Sequence, residues 1–208
     1  MKQLLTMIIS FAFVKASAQV NTTAFDGKKW EAPYNLEIPK GWDVERFLVP
    51  PSFAPTIPYK GIEDIRFTPG WGKIDSSEYW SYTFLWFLDG VQALDSKLIE
   101  NNLASYYTGL FNINTDKSKI DTTKLVPVVV FVSSKKTAPG DMKTFDGALR
   151  MNDYMTKKSI RLNLIVHVRS CEGQDKTFVF FELSPKPYNH KVWHALDQLW
   201  VNFKCSRE

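Results

Sequence analysis

The chain has 208 residues, 44% hydrophobic and 23% charged, with a formal net charge of +4. That is the make-up of an ordinary globular protein. The charge is too weak for a nucleic-acid binder, which needs a concentrated basic patch.

The first 18 residues read as a secretory signal peptide. Met1 and Lys2 give a positive start, residues 4–14 are mostly apolar, and Ala16-Ser17-Ala18 is a small-residue cleavage site. Cleavage before Gln19 removes Lys2 and Lys15, so the +4 total falls to about +2. No apolar run of about 20 residues follows, so no transmembrane segment is expected. The expected destination is the secreted fraction or a periplasm, and the expected partner is an envelope or extracellular ligand.

Residues 19–61 read as a leader and a Pro-rich, aromatic-rich arm. Residues 34–38 are a short strand candidate. Pro39, Pro50, Pro51, Pro55 and Pro58 then each fix φ and remove a donor, which predicts an extended arm pinned by Trp42, Phe47, Phe53 and Tyr59.

Residues 62–208 read as one domain. A strand over 62–67 ends at Pro69-Gly70, and the aromatic run 77–88 predicts a strand buried on much of both faces. Helix is expected over 96–108, capped by Asp95, stapled by Leu94 to Ile99 and stopped at Gly109. Residues 125–132, rich in Val, predict a strand near the sheet centre, tempered by Pro127. Strands follow over 144–152 and 159–170. In the second, Ile160, Leu162, Leu164, Val166 and Val168 alternate with Arg161, Asn163, Ile165, His167 and Arg169. A hairpin over 171–175 leads to a strand over 177–183. The last helix, over 190–203 with Asn189 as its cap, carries the stripe Val192, Leu196, Leu199 and Phe203. Short connections between the late strands require antiparallel pairing. The predicted class is α+β: an antiparallel sheet with a middle helix and a C-terminal helix packed against it, preceded by the arm.

The segment Leu36-Glu37-Ile38-Pro39-Lys40-Gly41-Trp42 resembles the strand-then-Pro-x-Gly-Trp opening of PsbP/Mog1-like proteins. The resemblance implies an antiparallel sheet with helices and a terminal helix after the last hairpin, the place that residues 193–203 hold here. The proline arm and the aromatic strand depart from the pattern. That fold hosts accessory and binding proteins of several kinds, so it implies no one function.

Four groups of residues are candidates for chemistry. Cys171 and Cys205 are the chain's two cysteines, and a disulfide is the default in an exported protein. A strand of about 30 Å followed by a helix of about 21 Å running back brings Cys205 near Cys171. The alternative is two unpaired thiols. His190, His194 and Asp197 share one helical face at a metal-compatible spacing, but Lys191 stands where a zincin motif needs Glu. The expectation is a solvated face, with no metal and no cofactor.

Arg161, His167 and Arg169 project from one sheet face, with Arg150 beside them on the preceding strand. If both helices cover the opposite face, these side chains either decorate a wet surface or line a groove for an anionic ligand. Among the many aromatics, Trp71, between Gly70 and Gly72, is the one expected exposed, as a platform for a sugar or peptide. Nucleophile elbows, phosphate-cradling glycine loops and His-Glu-x-x-His are missing. The reading is an exported, non-catalytic binding or envelope-accessory module. The alternative is a small secreted hydrolase acting on a glycan or peptide.

Overall fold

Seven antiparallel strands form one sheet in the computed structural model, which describes residues 25–206. The expected signal peptide lies outside the described residues. The strands are β1 (Asp43–Val49), β2 (Gly61–Phe67), β3 (Tyr82–Asp89), β4 (Val129–Lys135), β5 (Lys143–Asn152), β6 (Ser159–Ser170) and β7 (Lys176–Ser184). Two helices, α1 (Ser96–Ile113) and α2 (Lys191–Val201), complete the α+β architecture. Across the sheet the order is β1-β2-β3-β7-β6-β5-β4, so the aromatic β3 and β7 lie near the centre.

The helices lie on opposite faces, so the condition under which the arginine and histidine face would stand open, both helices on the other side, is not met. Ile99, Leu103 and Tyr106 of α1 pack over Phe84, Trp86, Val166 and Phe181. Leu199 and Trp200 of α2 pack over Leu85, Phe178 and Phe180, and Trp193 meets Ile165. Successive side chains of a strand point to opposite faces. Residues 178–181 are a run of four apolar side chains, so β7 needs cover on both sides.

The arm is only partly an arm. Residues 43–49 contain no proline, and they pair with β2 from Asp43↔Phe67 to Val49↔Gly61 as the sheet's edge. Residues 34–38 form no strand. Asn35 instead makes a single bridge with Lys204, its N–H donating to the Lys204 carbonyl at 3.0 Å and its carbonyl accepting from the Lys204 N–H at 3.1 Å. The leader also covers β2. Arg66 Nη2 donates to the Leu36 carbonyl at 3.1 Å and Arg66 Nε to the Glu37 carbonyl at 3.0 Å. Arg66 pairs with Asp64 on the same strand, and Asp64 also accepts from Arg46 Nε at 2.7 Å and the Tyr34 hydroxyl at 3.1 Å.

Three boundaries move for local reasons. β3 starts at Tyr82, because residues 77–81 turn and Trp80 takes φ +54°. Helix α1 runs through Gly109 to Ile113. That glycine serves close approach, since a Cβ there would lie 1.9 Å from the Phe53 carbonyl oxygen. β4 is an edge strand rather than a central one; it starts after Pro127 and leaves Phe131 66% exposed. The expected Asp95 cap forms, accepting from the Leu98 N–H at 2.8 Å. At α2 it is His190, not Asn189, that caps, its Nδ1 accepting from the Val192 N–H at 3.2 Å.

A disulfide joins Cys171, after β6, to Cys205, after α2, with Cα atoms 5.7 Å apart. It fastens the last helix to the β6–β7 hairpin. Among the described residues no helix is long and apolar enough to cross a membrane.

Candidate functional site

On the α1 face the sheet and helix diverge around a cavity of about 290 Å³. Phe47 of β1, Phe67 of β2, Tyr82 of β3 and Tyr106 of α1 supply walls. The loop between β2 and β3 adds Trp71 and Trp80. Exposed Glu45, Ile113 and Asn114 also line it, and Glu45 is its one carboxylate. Among the described residues no Lys or Arg lines it. A bulky residue at positive φ is strained, and Trp80 holds that conformation in the wall itself.

Trp71 is half-buried here rather than displayed. Its ring sits 4.4 Å from Phe67 and 5.8 Å from Trp80, centroid to centroid. Its indole N–H is buried without a hydrogen-bond partner among the described residues. Two tyrosine hydroxyls of the cavity are already committed: Tyr82 to Tyr107 at 2.5 Å, and Tyr106 to Glu63 Oε1 at 2.6 Å. Glu63 Oε2 accepts from Trp86 Nε1 at 2.9 Å. Burial pushes the Glu63 carboxyl up to about 8, against the pull of those two donors, and the Glu45 charge adds to the rise.

The arginine and histidine face lies on the other side, and α2 covers much of it. His167 is buried there. Its Nδ1 donates to Asp141 Oδ2 at 2.7 Å, and its Nε2 faces Glu182 Oε1 at 3.2 Å. Ile165↔Glu182 and His167↔Phe180 are paired, so Glu182 is the diagonal neighbour of His167. Burial alone would lower the imidazole, but the bonds to Asp141 and Glu182 outweigh it and raise His167 to about 9. Burial raises Glu182 against the attraction of His167.

Arg169 is also engaged. Its guanidinium lies 4.3 Å from the Trp200 ring centroid and donates to Asp141 Oδ1 at 3.2 Å. Asp141 accepts in addition from Trp200 Nε1 at 2.9 Å and the Thr144 hydroxyl at 2.7 Å. Burial opposes the Asp141 charge, but His167, Thr144 and Trp200 hold its carboxyl below the usual range. Arg150 and Arg161 face each other across β5 and β6, exposed beyond the cover of α2.

The structure therefore brings His167 and Arg169 together around Asp141, leaves Arg150 and Arg161 outside, and puts Trp71 on the opposite face. Sequence reading missed Asp141 and Glu182. Glu182 carried a signal, an acid inside the apolar run 178–183; Asp141 sits in a loop and carried none. The chain matches no protein-family model, no curated protein and no solved structure.

Proposed function

We propose that the chain is an exported, non-catalytic binding module whose aromatic cavity takes a small organic cation, such as a group ending in an alkylated ammonium. The lining of that cavity carries the reading: aromatic walls, the Glu45 carboxylate, and no basic side chain. Ring faces attract a cation through their quadrupole, and more strongly once it is desolvated. The volume, about 290 Å³, suits one small group rather than a polymer. A sugar needs several placed polar partners for its hydroxyls, whereas Tyr82 and Tyr106 already spend theirs on Tyr107 and Glu63. Paired-carboxylate hydrolysis gains no support here, because Glu45 lines the cavity without a second acid. Export is supported by the leader sequence and by the Cys171–Cys205 bridge, which suits an oxidising compartment.

The test is titration with tetramethylammonium and with neopentyl alcohol, a neutral branched analogue of similar size, followed by tryptophan fluorescence and NMR. The cation is expected to bind and the alcohol to bind several-fold more weakly. Trp71→Ala should abolish the response, and Glu45→Gln should weaken the cation alone. Equal binding of both probes would make the site merely apolar. No response to either would remove the cavity as a binding site.

A further inference from the structure

We propose that His167, Glu182 and Asp197 bind a divalent transition ion of the zinc type in the cleft between α2 and the β6–β7 face. One ligand atom from each lies within 4.8 Å of the other two. An ion about 2.0–2.2 Å from nitrogen and oxygen donors needs a somewhat tighter set. Asp197 is the half-buried member, on the helix, and the proposal requires its side chain to move toward the other two when the ion binds.

Glu182 supplies the independent sign of a ligand. It is fully buried, yet its Oε2 has no hydrogen-bond partner among the described residues. A buried acceptor left unpaired is costly, and a carboxylate oxygen more so. Glu182, Asp197 and His194 line one cavity of about 280 Å³. The cleft thus combines an orphaned acceptor with a second carboxylate and room for an ion.

The far side of His167 is arranged in the same sense. A metal-binding imidazole usually donates its other N–H to a carboxylate, which fixes the tautomer and turns the free nitrogen to the metal. Asp141 holds Nδ1 in that way, so Nε2 is the metal-facing atom. On binding, the Nε2 lone pair goes to the ion, and the proton shared with Glu182 is released to solvent.

The donor set narrows the ion. One imidazole and two carboxylates suit zinc and its neighbours, whereas magnesium and calcium prefer oxygen alone. Both cysteines are in the disulfide, so no thiolate competes. Lys135 lines the same cavity and opposes a cation. Its Nζ is drawn aside to Asp146 at 3.9 Å and lies 6.0 Å from the Tyr188 ring centroid. His194, one turn before Asp197, is the available fourth donor.

Calorimetry with zinc chloride on the untagged, disulfide-intact protein tests the site. One equivalent of zinc should bind and raise the unfolding temperature, while magnesium chloride at the same concentration should do neither. Asp197→Asn should weaken zinc about tenfold or more, and His190→Ala should leave it unchanged. The chain has three histidines, so ring-nitrogen NMR of the unmutated protein reads the site directly even if a His167 variant fails to fold. Zinc should move the His167 Nε2 resonance. Absence of stoichiometric zinc, an unaltered affinity in Asp197→Asn, or shifts confined to His190 and His194 would each overturn the proposal.

Discussion

The Tyr106 hydroxyl donates to Glu63 Oε1 at 2.6 Å, tying α1 to β2 behind a wall residue of the aromatic cavity. The carboxylate it meets is fully buried, so the helix–sheet contact holds a titrating group.

Stability should therefore fall as pH rises through that group's range. Glu63 keeps its proton in the folded protein up to about 8, whereas its ordinary value is 4.5. The folded state thus binds the extra proton between these values, and ionising the buried carboxyl above them penalises the fold. The loss should be on the order of a few kcal/mol, complete above about pH 8 and absent below about pH 4.5. Urea unfolding of the native chain and of Glu63→Gln measures it. The variant should lose most of this slope, and an unchanged slope would place the titration elsewhere.

Removing the disulfide should destabilise without changing the fold. The bridge spans a sequence separation of 34. A closed loop of that length contributes about 3–4 kcal/mol by restricting the unfolded chain. Cys171→Ser combined with Cys205→Ser should lower the urea midpoint accordingly, and reductant should reproduce the effect on the native chain but not on the variant.

Asp64→Asn should be among the costly single changes. It leaves Arg66, 1% exposed, without its buried counter-charge and deprives Arg46 of the same partner. Breaking a buried pair from one side costs about 3–5 kcal/mol. Tyr34→Phe, which removes one neutral donor to Asp64, should cost about 1 kcal/mol. Comparable losses in the two variants would show that the charge pair itself adds little.

Gly109→Ala should destabilise, although the same change in an open helix gains about 1 kcal/mol. The new methyl would meet the Phe53 carbonyl oxygen at 1.9 Å. Overpacking of this kind costs about 1–3 kcal/mol. A higher melting temperature in the variant would mean that the loop carrying Phe53 yields freely.

The strands of the C-terminal half were legible because periodicity is written into them. β6 alternates for most of its length, and β7 is apolar at every position from Phe178 to Phe181. The same run of β7 already implied cover on both faces, and only the assignment of helices to faces was left open. Period two tells which residues share a face, not which helix lies on it. The fate of His167 depended on that assignment. With α2 above it, a residue that alternates like a surface side chain becomes the centre of a buried polar cluster. Asp141 was illegible for another reason: a loop acid has no period, and its four donors come from β5, β6 and α2. Asp43–Val49 was hidden by the prolines on either side, which describe their own positions and not the seven residues between them.

The bridge between Asn35 and Lys204 has a geometric corollary for presentation. The C-terminal end of the described chain leaves from beside α2, with Phe203 against Tyr34 and Phe178, whereas residues 25–28 lie along β1 by Glu45 and Arg46. The aromatic cavity is on the α1 side. A tether or tag attached through the C-terminal end would hold the molecule by its back, with the cavity turned outward to whatever diffuses past.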